Sequence, residues 1–106
     1  MTEYKYKNET VILERNDYMY GGLAVRMWSK YEDDEYGSGW EPYAEITRWL
    51  LAVGDRSAFV DENNLPGIGE WLEANGLAIN TGILMPSGYC VYPLYEFTDK
   101  FFESVA

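Results

Sequence analysis

Short runs of alternating apolar and polar residues set the pattern of this chain. Tyr4-Lys5-Tyr6-Lys7 alternates, and Thr10-Val11-Ile12-Leu13 follows as a brief apolar run. Together they predict one strand or a strand pair near a sheet edge, with Lys and Glu guarding that edge. Asn16-Asp17 and Gly21-Gly22 mark a turn region. Leu23, Val25 and Met27 then share one face while Arg26 takes the other, the pattern of a half-buried strand. From Tyr31 to Trp40 glycine, serine and clustered charge predict a loop. Residues 41–51 read two ways. Ile46, Trp49, Leu50 and Val53 fit a helical period with Pro42 near its start, whereas Tyr43, Thr47, Trp49 and Leu51 share a strand face.

Beyond the break at Gly54-Asp55, Ala58-Phe59-Val60 predicts a short strand. The best helix runs from Pro66 to Asn75, with Asn64 as its cap and an apolar stripe of Ile68, Trp71 and Leu72. Gly67 and Gly69 each weaken it by roughly 1 kcal/mol relative to Ala, so Trp71 must pack. Gly76 predicts a left-handed stop, with Leu77 returning to touch Leu72. Residues 78–85 form a second apolar segment, turned at Asn80-Thr81-Gly82. Tyr89 to Phe97 is dense in aromatic and β-branched residues and predicts a strand on which the rest packs. Pro93 lacks an N–H, so that strand is expected to be an edge or to bulge there. Thr98 is placed to cap a short final helix, with Phe97 stapled to Phe102. The expected architecture is α+β: a mostly antiparallel sheet of about four to six strands carrying one main helix, in a single domain spanning 1–106.

Composition narrows the function. The chain has 106 residues, 47% of them hydrophobic, so a core is well supplied. Its 18 acidic and 8 basic residues give a formal charge of −10. That charge repels nucleic-acid phosphates and favours basic protein surfaces. No apolar run approaches a membrane span and no secretory h-region follows Met1, so the expected location is the cytoplasm. With no histidine, Ser-His-Asp and Cys-His nucleophiles and most zinc sites drop out. Cys90 sits in an apolar run without basic neighbours and reads as a buried core residue. Asp61-Glu62-Asn63-Asn64 fails the calcium-loop register because Leu65 and Pro66 stand where an oxygen ligand and Gly belong. No catalytic residue, metal or cofactor is expected, and the reading is non-enzymatic.

Several motifs occur in a fixed order. They are Glu41-Pro42-Tyr43-Ala44, Asp61-Glu62-Asn63-Asn64-Leu65-Pro66, Leu72-Glu73-Ala74-Asn75-Gly76-Leu77-Ala78, Thr81-Gly82, Ser87-Gly88-Tyr89 and Tyr92-Pro93-Leu94-Tyr95-Glu96-Phe97. Over about residues 21–97 the chain resembles an uncharacterised family of small proteins carried by conjugative elements and phages of Gram-positive bacteria. In that family the segment after Glu-Pro-Tyr-Ala continues as a strand with Val-Asn following the Thr. Here Thr47 is followed by Arg48-Trp49. The resemblance implies a mobile-element setting and no activity.

One segment carries an interaction signal. From Tyr31 to Glu45 there are six carboxylates (Glu32, Asp33, Asp34, Glu35, Glu41 and Glu45) and no basic residue. Tyr31, Tyr36, Trp40 and Tyr43 are interleaved with them. Carboxylates pair with Arg and Lys, and Tyr and Trp anchor interfaces. The expected partner-binding set is Glu32, Asp33, Asp34, Glu35, Trp40, Glu41, Tyr43 and Glu45. The expected function is inhibition of a basic nucleic-acid-handling host protein, in the manner of anti-restriction or anti-CRISPR proteins that partly imitate DNA. Two other readings stand beside it. One is a structural or assembly protein that self-associates, for instance as a homodimer, through an edge strand near Pro93 or the N-terminus. The other is a small-molecule binder with an aromatic pocket.

Overall fold

The computed structural model describes residues 2–105. Its strands are β1 (Tyr4–Tyr6), β2 (Glu9–Asp17), β3 (Leu23–Asp33), β4 (Gly37–Glu45), β5 (Thr47–Arg48), β6 (Ser57–Val60), β7 (Ala78–Ser87) and β8 (Cys90–Phe97). Two short helices complete it, α1 (Ile68–Ala74) and α2 (Asp99–Ser104). The strands form two antiparallel four-stranded sheets, ordered β1-β2-β3-β4 and β5-β6-β8-β7. The antiparallel α+β character matches expectation. The single sheet of four to six strands with one main helix does not: eight strands divide into two sheets, and the helices are of nearly equal length.

Local chemistry explains most boundaries. Lys7 and Asn8 both take positive φ and close a two-residue turn between β1 and β2, which makes the N-terminal run a strand pair with β1 at the edge. Leu23, Val25 and Met27 are buried, as their alternation predicts. Residues 43–51 form no helix. β4 runs to Glu45, and after Ile46 the chain enters β5. Ile46 is buried and joins the sheets, donating its N–H to Val25 (2.9 Å) and accepting from the N–H of Asp61 (2.8 Å). Both sheets and both helices contribute to one apolar core, which includes Val11, Val25, Ile46, Val60, Leu72, Phe97 and Phe101.

Helix α1 starts later than expected, and Asn64 does not cap it. Glu62 reaches forward instead, its carboxylate accepting from the N–H groups of Gly67 (2.7 Å) and Gly69 (3.0 Å). A carboxylate suits the positive end of the helix dipole. The stop is the expected Schellman ending: Leu77 N–H bonds the Leu72 carbonyl and Gly76 N–H that of Glu73, both at 2.9 Å. Trp71 packs edge-on against Tyr4 and Tyr6 and donates to the Lys5 carbonyl (2.7 Å). Thr98 caps α2, although Phe97 meets Phe101 rather than Phe102.

The late strand β8 is interior, flanked by β6 and β7. Pro93 lies just past Leu94, where pairing with β6 stops. The irregularity falls on β7, between Asn80 and Leu84. The Thr81 hydroxyl steadies it by donating to the Leu94 carbonyl (2.8 Å). One face of this sheet joins the shared core. On the other, Phe59, Tyr92 and Leu94 are covered by Leu50 and Val53, with Met85 and a half-buried Cys90 at the margin.

Candidate functional site

Residues 31–40 are not a loop but the outer half of the β3–β4 hairpin. Their polarity hid the strands, because an arm solvated on both faces needs no apolar alternation. Every residue from Lys30 to Ser38 is exposed. Pairing runs from Lys30 opposite Trp40 to Asp33 opposite Gly37. Asp33 closes the tip, its Oδ1 accepting from the N–H groups of Glu35 (2.7 Å) and Tyr36 (2.8 Å). Tyr31 lies across Gly39, whose missing side chain leaves room for the ring. A bulge between Met27 and Trp28 re-aims the strands where the arm leaves the core.

The hairpin gathers all eight expected partner-binding residues on one arm but not on one face. Directly paired residues of an antiparallel ladder share a face. Glu32 therefore lies on the side of Lys30 and Trp40, while Asp33 and Glu41 lie on the side of Tyr31. Asp34 and Glu35 occupy the tip between β3 and β4. Glu45, at the base, is held by Arg26 (Nε to Oε1, 2.6 Å). Tyr43 turns back onto Tyr6, with ring centres 5.9 Å apart, and Trp40 is half-buried. Among the described residues, Glu32, Asp33, Asp34, Glu35 and Glu41 form no ion pair. Tyr36 is the fully presented aromatic, 80% exposed at the tip.

At the foot of the arm the two sheets meet beside an open cleft of about 500 Å³. Sequence reasoning missed it because its walls come from three separated segments. Arg26 and Ala24 come from β3, Thr47 and Arg48 from β5, and Tyr18 from the turn after β2. Thr47 is buried, and its hydroxyl sits 2.8 Å from that of Tyr18. Burial holds the Tyr18 phenol above its ordinary value of 10.0, and the Glu45 carboxylate adds to this against the Thr47 hydrogen bond.

Among the described residues, no helix is long and apolar enough to cross a membrane. No curated protein and no solved structure matches the chain. Over residues 12–103 it matches the family model described as a domain of unknown function (DUF4313), and it belongs to that family.

Proposed function

We propose that the β3–β4 arm docks on a basic protein surface and that the protein acts by binding rather than by catalysis. The observation that carries this reading is the arm itself: a paired hairpin, solvated on both faces, with five carboxylates outside any ion pair among the described residues. Its partner in this proposal is a nucleic-acid-handling host protein, inhibited by an acidic arm that competes with phosphates for Arg and Lys. A mobile-element origin and a cytoplasmic setting belong to the same proposal. The arm supplies charge at its tip and Tyr36 as an anchor.

The test is capture of host proteins on immobilised protein, followed by elution with duplex DNA. A nucleic-acid-binding partner released by DNA and by moderate salt is expected. Asp34→Lys with Glu35→Lys should abolish capture without disturbing the turn that Asp33 closes. Capture that survives both substitutions overturns the reading.

A second reading rests on the β7–β8 arm. No charged residue occurs from Leu77 to Tyr95, and Ile79, Ile83, Leu84, Tyr89 and Val91 are exposed. Self-association there would hide apolar surface away from the acidic arm. The bulge and Pro86 on β7 oppose further strand pairing. Light scattering that stays monomeric at high concentration removes this reading.

A further inference from the structure

Each sheet ends in two edge strands, and three of these four edges are closed to further pairing. β1 has three residues, and the Trp71 indole takes its Lys5 carbonyl (2.7 Å). β5 has two residues. β7 carries the irregularity between Asn80 and Leu84 and then Pro86. Its amides there are used locally. Asn80 N–H donates to the Glu73 carboxylate, Gly82 N–H to the Asn80 side chain and Ile83 N–H to the Thr81 hydroxyl. Short strands, bulges and proline are the devices that keep a sheet edge from pairing with another chain.

The outer half of β4 has none of these devices. From Gly37 to Glu41 it pairs residue for residue with Asp33 to Ser29, without a bulge. No proline or lysine stands among these five residues. In an antiparallel ladder alternate residues turn their N–H and C=O away from the partner strand. Among the described residues no backbone group outside the β3–β4 ladder bonds to this stretch, so its outward row faces solvent. Gly37, Ser38 and Gly39 also leave little side chain in the way of an approaching backbone.

We infer that β4 takes up an extended basic peptide segment as a fifth strand of the first sheet. This rests on the docking role proposed for the arm and names what docks there. Main-chain hydrogen bonds supply the attachment, and side chains alternating to the two faces supply the selection. Charge chooses the occupant. Pairing with β4 of a second copy would set one acidic arm against another, which like charges oppose. A basic strand meets the reverse. On the face of Gly37, Gly39 and Glu41, its side chains meet Glu41 beside them, Asp33 across Gly37 and the Tyr31 ring over Gly39. The pattern selected is Arg or Lys at two positions four residues apart, with an apolar residue midway against Tyr31. The opposite face selects less, because Lys30 joins Glu32 there.

The test is titration of the intact protein with the peptide acetyl-Arg-Thr-Val-Thr-Arg-amide, read by amide signals and amide exchange. Saturable binding is expected, with exchange slowed at alternate amides of Gly37–Glu41, the signature of an added strand. Of the two alternately N-methylated forms of the peptide, the one methylated on the amides that face β4 should bind about tenfold more weakly, and the other should keep its affinity. Glutamate in place of both arginines should abolish binding. Glu41→Lys should weaken the parent peptide about tenfold. Glu41 is exposed, and an unchanged melting temperature certifies that the variant folds. Equal binding by the two methylated forms, protection without alternation, or no saturation into the millimolar range overturns the inference. So does alternate protection that grows with protein concentration in the absence of peptide, which would give the edge to a second copy. Capture of a host protein that needs Asp34 and Glu35 but leaves these amides unprotected keeps the docking reading and removes strand addition.

Discussion

Gly69 shows how a residue that looks like a defect in sequence becomes a requirement in the fold. As a helix-interior glycine it is expected from propensity to cost stability relative to alanine. In the folded chain the Tyr95 ring and the Glu62 carboxylate occupy the space a methyl group would need. Gly69→Ala is therefore expected to lower stability by about 1–3 kcal/mol, against the gain of about 1 that propensity alone would give. Urea unfolding decides between them: a raised midpoint would mean that Tyr95 yields easily. Glu62 was likewise illegible. Its neighbours mark a turn, and nothing in its spacing announces two hydrogen bonds to the helix start. The Schellman ending at Gly76-Leu77 was legible because its signal is local and its partners lie within one turn.

Among the elements, those with a buried side were readable and those without one were not. The strands beginning at Leu23 and at Cys90 carry apolar faces because each packs on a core. The outer halves of β3 and β4 pack on nothing and read as a loop. The stretch after Glu41 held two periodicities at once, and pairing with β3 and β6 chose the strand. Within the acidic arm, Tyr31 over Gly39 is a cross-strand contact worth roughly 0.5–1 kcal/mol. Tyr31→Ala should speed amide exchange in Lys30–Trp40 while leaving global unfolding nearly unchanged. Equal loss of protection in β2 would mean that the arm is not an independent unit.

For the whole molecule, the alkaline limb of stability follows from three phenols. Burial is the first cause that raises Tyr18, Tyr92 and Tyr95, and at Tyr95 the Glu73 and Glu62 carboxylates add to it. Well below pH 10 all three are neutral in the folded and the unfolded chain, so none affects how stability varies with pH. Above that the unfolded chain loses its phenolic protons first, and stability falls as pH rises. Melting temperature is expected to decline beyond about pH 10, and Tyr95→Phe should flatten the decline. An unchanged slope in that variant would assign the loss elsewhere. At this scale the sequence conveyed antiparallel α+β character but not the division into two sheets. That division depends on where a single residue, Ile46, leaves one ladder and enters the next. Its composition resembles that of its neighbours, and the information lies in long-range pairing.

The same residue sets where the chain tolerates a change of length. The tips at Lys7-Asn8 and Asp34–Tyr36 are solvent-facing, and extra residues there would lengthen a turn at small entropic cost. One residue inserted beside Ile46 would reverse the facing of everything after it, bringing Arg48 inward and Thr47 outward. It would also separate the N–H held by Val25 from the carbonyl held by Asp61. Natural relatives of this chain should therefore differ in length at their hairpin tips while keeping a fixed count between the two sheets, which makes this joint the reference point for aligning them.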